Sequence, residues 1–141
     1  MVPSKSELKE WAQNYVALWN KGDKEAWEAN WRKVGQGEFR MLDPVGTPEK
    51  VGFQLCCLDS FDLFQARVKF RIPEGMLFIC ENEVAWTLEN TITTDGNTTK
   101  HYSLETYRFE EDGSVNIRTY YRVPERTADE LGQMFQTYLP E

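Results

Sequence analysis

The sequence predicts a single α+β domain in which helices come first and an antiparallel sheet follows. Apolar residues recur at three- and four-residue spacing as far as Trp31. From Arg67 onward the period falls to two, in runs punctuated by Asp-Gly turns. Helices grouped ahead of the strands, not alternating with them, place the helical layer over one face of a curved sheet. At 141 residues the chain can build one real core, and 1–141 reads as one domain without linkers or repeats.

Ser4-Lys-Ser-Glu7 has the form of a capping box, and Leu8, Trp11, Ala12, Tyr15, Leu18 and Trp19 follow on one stripe. Gly22 stops that helix, and Asp23 caps a second one carrying Ala26, Trp27 and Trp31. Val34–Gly37 turns the chain into a first strand at Phe39, Met41 and Leu42. Phe53 to Phe64 fits a helix, though less clearly. Strands are then expected at Arg67–Ile72, Met76–Cys80, Glu83–Thr93, Thr99–Phe109 and Val115–Arg122, with hairpins at Asp95-Gly96 and Asp112-Gly113. A closing helix is expected from Thr127, carrying Leu131, Met134, Phe135 and Tyr138.

The formal charge of −7 argues against nucleic acid or an anionic membrane surface as partner, since both demand basic patches. No apolar run reaches the length of a membrane span, and the first residues lack a secretory apolar region. Three Cys, two of them adjacent and none in Cys-x-x-Cys spacing, read as reduced core residues of a cytoplasmic protein. A single histidine, His101, excludes His-based dyads and metal clusters; no metal or cofactor is expected, and His101 itself reads as a surface residue. Aromatic residues at 13% suggest a ring-lined pocket or interface.

Within that frame Asp43 stands out. It ends the first strand, and Pro44 both stops the ladder and holds the residue before it extended. A carboxylate so fixed at the mouth of an apolar pocket is a candidate proton shuttle, because desolvation raises its basicity. Asp-Pro-x-Gly is equally ordinary turn chemistry. Strand alternation groups His101, Ser103, Glu105, Tyr107 and Phe109 on one face, and Val115, Ile117, Thr119 and Tyr121 on the next. If these faces are concave, Glu105 enters a cavity lined by Trp86, Leu88, Ile117 and Tyr121, and Tyr15 and Trp19 reach it from the first helix. An acid there is held neutral unless a cation pairs with it. A phenol and a neutral carboxyl aimed at one point form an oxyanion hole. Each residue has a plainer role too: Tyr15, Trp86 and Tyr121 as packing, and Glu105 in an outward ion pair with Arg108 or Arg118.

Three segments then carry a likeness: Asn14-Tyr15-Val-Ala-Leu-Trp-Asn-Lys-Gly22-Asp23, Leu42-Asp43-Pro44-Val45-Gly46, and Glu105-Thr-Tyr-Arg108-Phe109-Glu-Glu-Asp-Gly113. In order and spacing the chain resembles bacterial ketosteroid isomerases, members of the nuclear-transport-factor-2-like (SnoaL-like) superfamily of α+β cones. The resemblance implies a curved antiparallel sheet around an apolar cavity closed by the amino-terminal helices. It implies Asp43 as general base, Tyr15 as donor to a dienolate oxygen and Glu105 as second, protonated donor. Trp86 and Tyr121 fall on pocket positions. A homodimer through the outer sheet face, where Arg118, Tyr120 and Arg122 lie, is also implied. Two departures stand out. Glu105 is a methylene longer than the family's aspartic acid, and Trp31 lies near a position where some members carry a tyrosine supporting the catalytic one. An indole cannot accept that hydrogen bond. Three readings of function follow: cofactor-free proton transfer beside a carbonyl of an apolar, ring-containing ligand; a polyketide cyclase- or dehydratase-like reaction; or a non-catalytic ligand-binding or dimerisation module. The segment 123–141 is expected to cover the pocket or extend an interface.

Overall fold

The computed structural model describes residues 1–122, so the helix expected from Thr127 lies outside the described residues. The chain opens with α1 (Lys5–Lys21) and α2 (Lys24–Val34). Ser4 accepts from the Glu7 amide and Glu7 answers to the Ser4 amide, closing the capping box at the start of α1. Gly22 ends α1 in the left-handed region at φ 77°, where a side chain would be strained. Asp23 then caps α2 by accepting from Ala26.

The sheet contains β1 (Phe39–Leu42), β2 (Lys50–Val51), β3 (Val68–Arg71), β4 (Leu77–Cys80), β5 (Glu83–Thr94), β6 (Asn97–Phe109) and β7 (Val115–Tyr121). Between β2 and β3 the chain makes a π-helical segment, Gln54–Asp59, that runs into α3 (Ser60–Phe64). This is the region expected as an ordinary helix; the wider winding buries Cys56, Cys57 and Leu58 together. The strand order is β2-β1-β7-β6-β5-β3, with β4 also pairing β5, and the whole is a curved open sheet. β5 to β7 form the expected antiparallel meander, whereas β1 lies parallel to β7. The turn between β5 and β6 has Asp95 at φ 52° and Gly96 at φ 80°, the two positive values a type I′ hairpin needs.

Alternation along the strands sets the inner face, and the helices lie on it. Trp11 of α1 is the hub, with Trp31, Trp86, Tyr107 and Phe109 all at 5.0–5.3 Å between ring centroids. Indole N–H groups stitch the layers together: Trp19 donates to the Val68 carbonyl at 2.8 Å, and Trp27 to that of Cys57 at 2.9 Å. Asn20 covers the open edge at β3, its amide accepting from Phe70 N and donating to Phe70 O, both at 2.8 Å. Helix on sheet encloses a hollow that runs from the inner face of β1 to that of β3.

Candidate functional site

The hollow is bounded by α1, α2, the π-helical segment and the inner faces of β1, β3 and β5–β7, and holds about 90 Å³. Its polar groups follow from register. Trp86 on β5, Glu105 on β6 and Thr119 on β7 are direct neighbours in one cross-strand row. Leu42 lies opposite Arg118, so Asp43 continues the row beside Thr119. Two strand spacings therefore separate the Asp43 and Glu105 backbones, about 10 Å.

Asp43 precedes a cis bond to Pro44. Its Oδ1 accepts from the Thr119 hydroxyl at 2.5 Å and from the Tyr121 hydroxyl at 3.5 Å. The side chain thus bonds across the sheet instead of capping its own turn. Burial pushes its pKa up, and the Thr119 bond, the Lys50 charge and Tyr121 pull against that. Lys50 is 0% exposed and donates from Nζ to the Asp43 carbonyl at 3.2 Å.

Glu105 does not reach outward to Arg108 or Arg118. Arg108 bonds Glu110 instead, and the Glu105 side chain points inward. Oε1 accepts from Tyr107 at 2.7 Å and from the Trp86 indole at 2.8 Å, and Oε2 meets the Ser103 hydroxyl at 3.4 Å. Asn90 in turn donates to Ser103 at 3.0 Å. Burial first, with the Asp43 charge adding to it, pushes Glu105 up to about 7 against the bonds from Tyr107, Trp86 and Ser103. The carboxyl can therefore hold or release a proton near neutrality.

Tyr15 lines the same hollow, with its hydroxyl 3.4 Å from that of Tyr107. Tyr107 has one proton and two acceptors within reach; the 2.7 Å bond to Glu105 is the better one. That arrangement leaves the Tyr15 proton for the Tyr107 oxygen or for a ligand. Burial and the Glu105 charge raise Tyr15 well above the ordinary phenol range, so it stays a donor.

Among the other residues expected at the site, Trp19, Ile117 and Tyr121 line the hollow. Trp86 and Leu88 do not, a correction to the sequence reading: both are 0% exposed and lie behind the wall, where Trp86 packs between Trp11 and Tyr107. His101, expected at the surface, is half-buried on the inner face of β6 and lines the hollow, its Nε2 at 3.0 Å from Thr99 Oγ1. Trp31 packs edge-on to Tyr15 at 5.9 Å, and Tyr107 is the hydroxyl that meets the phenol. Sequence reasoning missed Lys50, Asn90 and the linking role of Tyr107. Asn90 and Tyr107 were visible as inward positions in their alternating runs; nothing local marks Lys50. Among the described residues no group of His, Cys, Asp and Glu side chains is arranged to hold a metal ion.

No protein-family pattern matches the sequence, and no match is found among curated proteins. Solved structures do share the fold. The epoxide hydrolase/cyclase-like enzyme SalBIII, of pyran ring formation in the polyether salinomycin, superposes with TM-score 0.69 at 18% identity, over 85% of this chain and 94% of its own. An LEH-like epoxide hydrolase of Mycobacterium tuberculosis gives 0.67 at 13%, over 99% and 100%. A protein of Jannaschia sp. CCS1 named for SnoaL-like polyketide cyclases gives 0.65 at 15%, over 100% and 98%. The fold is therefore the α+β cone of the nuclear-transport-factor-2-like, SnoaL-like proteins. These neighbours are cyclase- and hydrolase-named proteins, with no steroid isomerase among them.

Proposed function

We propose that the protein is an acid–base enzyme that opens or closes a ring in a compact, largely apolar ligand bearing an oxygen function. The observation carrying this reading is a pair of buried carboxyls, Asp43 and Glu105, on one hollow but in different hydrogen-bond settings. Asp43 has one oxygen held by hydroxyl donors and a second without a bond among the described residues. It takes the proton from an attacking water or hydroxyl. The lone pair of that oxygen forms a new C–O bond as the bond from carbon to the departing oxygen breaks, and Glu105 gives its proton to that oxygen. On an epoxide, water yields a diol and an internal hydroxyl yields a cyclic ether. The cyclase and epoxide-hydrolase names of the fold neighbours favour this class, although fold alone fixes no activity.

Isomerisation by proton transfer beside a carbonyl is the second reading. It is favoured by Tyr15, whose phenol enters the same hollow beside the Tyr107–Glu105 pair and suits an enolate oxygen. The hollow of about 90 Å³ is small beside the several hundred typical of drug-sized ligands, so a fused-ring substrate would require its mouth to widen. Assembly as a homodimer through the convex face of the sheet suits the exposed row of Leu104 and Tyr120, which pair across β6 and β7.

Incubation with small epoxides in ¹⁸O-labelled water, and with small enones in deuterated water, separates the two reactions. Label in a diol supports ring opening, and deuterium beside the carbonyl supports isomerisation. Either activity must fall by roughly 10²- to 10⁴-fold in Asp43→Asn; activity at the parent rate in that variant overturns the assignment of the base.

A further inference from the structure

A buried lysine adjoins Asp43, and the roles given to Asp43 and Glu105 leave it without a task. Lys50 lies on β2 directly opposite Met41 of β1. Met41 and Asp43 are two residues apart on one strand path, so the Lys50 side chain, inward and 0% exposed, runs toward the strand end where Asp43 stands. Its Nζ donates to the Asp43 carbonyl at 3.2 Å. Its own carbonyl meets the Cys56 thiol at 3.6 Å, which ties β2 to the π-helical segment. A lysine is hardly ever fully buried without a charge to answer.

The groups around Asp43 come from every wall. Thr119 and Tyr121 of β7 donate to it, Tyr15 of α1 and Glu105 of β6 interact with it across the hollow, and Cys56 lies on the Lys50 side. Glu49, the residue before Lys50, is occupied on the outer face by Arg40 at 2.8 Å. Of these, Lys50 alone can carry positive charge; His101 of β6 lines the same hollow, its Nε2 on Thr99 Oγ1. Among the described residues, the Glu105 carboxyl has indole, phenol and hydroxyl donors but no cation in its hydrogen bonds.

We propose that Lys50 is a positioning residue for the acid pair: its ammonium holds Asp43 in the ionised form and so leaves the catalytic proton on Glu105. Two acids on one hollow cannot both ionise cheaply, and without a bias the proton is shared between them. A cation at one end breaks that symmetry and makes one acid the base, the other the donor. Burial opposes the charge on Lys50, while the Asp43 carboxylate supports it, so the two ionise as a pair. This inference rests on the acid–base reading above, but its test does not need turnover.

The test is ¹³C NMR titration of the chain labelled at Asp and Glu carboxyl carbons, with signals assigned through Asp43→Asn and Glu105→Gln. In the parent Asp43 is expected to ionise at lower pH than Glu105. Lys50→Met should raise the proton affinity of Asp43 about tenfold or more, and Lys50→Arg should restore it. An Asp43 midpoint unmoved in a folded Lys50→Met chain, or one above that of Glu105 in the parent, overturns the proposal. Should Lys50→Met fail to fold, the reciprocal measurement decides. Coupling is mutual, so Asp43→Asn must lower the ¹⁵Nζ midpoint of Lys50 by the same factor, and an unchanged midpoint overturns it equally. Loss of the enzymatic reading would show instead as an Asp43→Asn chain that still turns over, whatever the carboxyl midpoints do.

Discussion

Trp86 donates its indole N–H to Oε1 of Glu105 at 2.8 Å from the neighbouring strand. The bond comes from the side of the carboxyl turned away from the hollow, where Trp86 is packed against Trp11. With Tyr107 also on Oε1, the less strongly bonded half of the carboxyl is Oε2, whose contact to Ser103 is long at 3.4 Å. A proton on Oε2 therefore has the fewest hydrogen bonds to displace.

The rate of the proposed reaction should follow a bell in pH. It rises as Asp43 ionises and falls as Glu105 loses its proton near pH 7. Asp43→Asn should cut turnover by roughly 10²- to 10⁴-fold, with the fold kept because Thr119 can still donate to an amide oxygen and Lys50 bonds the backbone. Steady-state rates across pH 5–9 on the parent and variant check both statements.

Glu105 ionises less readily in the folded chain than at its ordinary value of 4.5. Its neutral form is the one the fold favours. The stability it contributes is complete below about pH 4.5 and is lost as pH rises through about 7. The loss is on the order of 3 kcal/mol, from 1.36 kcal/mol per pH unit. Glu105→Gln has no such loss, so urea unfolding should find the variant gaining on the parent between pH 5 and pH 8.

Tyr107→Phe removes the donor that most favours the charged form of Glu105. The falling limb of the pH profile should then move to higher pH, since the carboxyl holds its proton longer. The phenol of Tyr15 also loses its nearest hydroxyl, so binding of a phenolate-like probe should change together with the limb. A limb that stays in place would detach Glu105 from the proton donor role.

Trp11→Ala empties the point where four rings meet, and should cost about 3–5 kcal/mol of stability. Denaturant unfolding measures this directly, with the midpoint falling at nearly constant slope.

Leu104, 46% exposed in the single chain, lies beside Tyr120 on the convex row, and Leu104→Lys sets a charge there. If copies pair through this face, sedimentation should show dimers for the parent and monomers for the variant. A parent that sediments as a monomer at all concentrations removes the interface.

Much of the fold was legible because local chemistry and tertiary outcome agree. Ser4, Gly22, Asp23 and Asp95-Gly96 each act within a few residues of themselves, and each does what its type dictates. Period alone showed which residues of β6 and β7 share a face, but not which face turns inward, so the direction of Glu105 was settled only by the register and curvature of the folded sheet. Lys50 was hidden for the opposite reason. In Pro48-Glu49-Lys50 it looks like a solvated turn, and only the pairing of β2 with β1 buries it. Trp86 and Leu88 show a second blind spot, since alternation tells which face a residue takes but not how far it lies from the hollow. His101 is the converse, a polar residue near a turn that curvature brings into the wall.

The parallel pairing of β1 with β7 brings Thr119 to Asp43 across 76 positions, and separately Tyr107 of β6 meets Tyr15 of α1 across 92. During synthesis the helices and β1 leave the ribosome long before their partners exist. A nascent chain stopped short of β7 carries the aspartate with no hydroxyl to answer it and a strand with one flank bare. The proposed centre can therefore assemble only when the sheet of the described residues is nearly finished, and a chain stopped earlier should show none of the proposed activity.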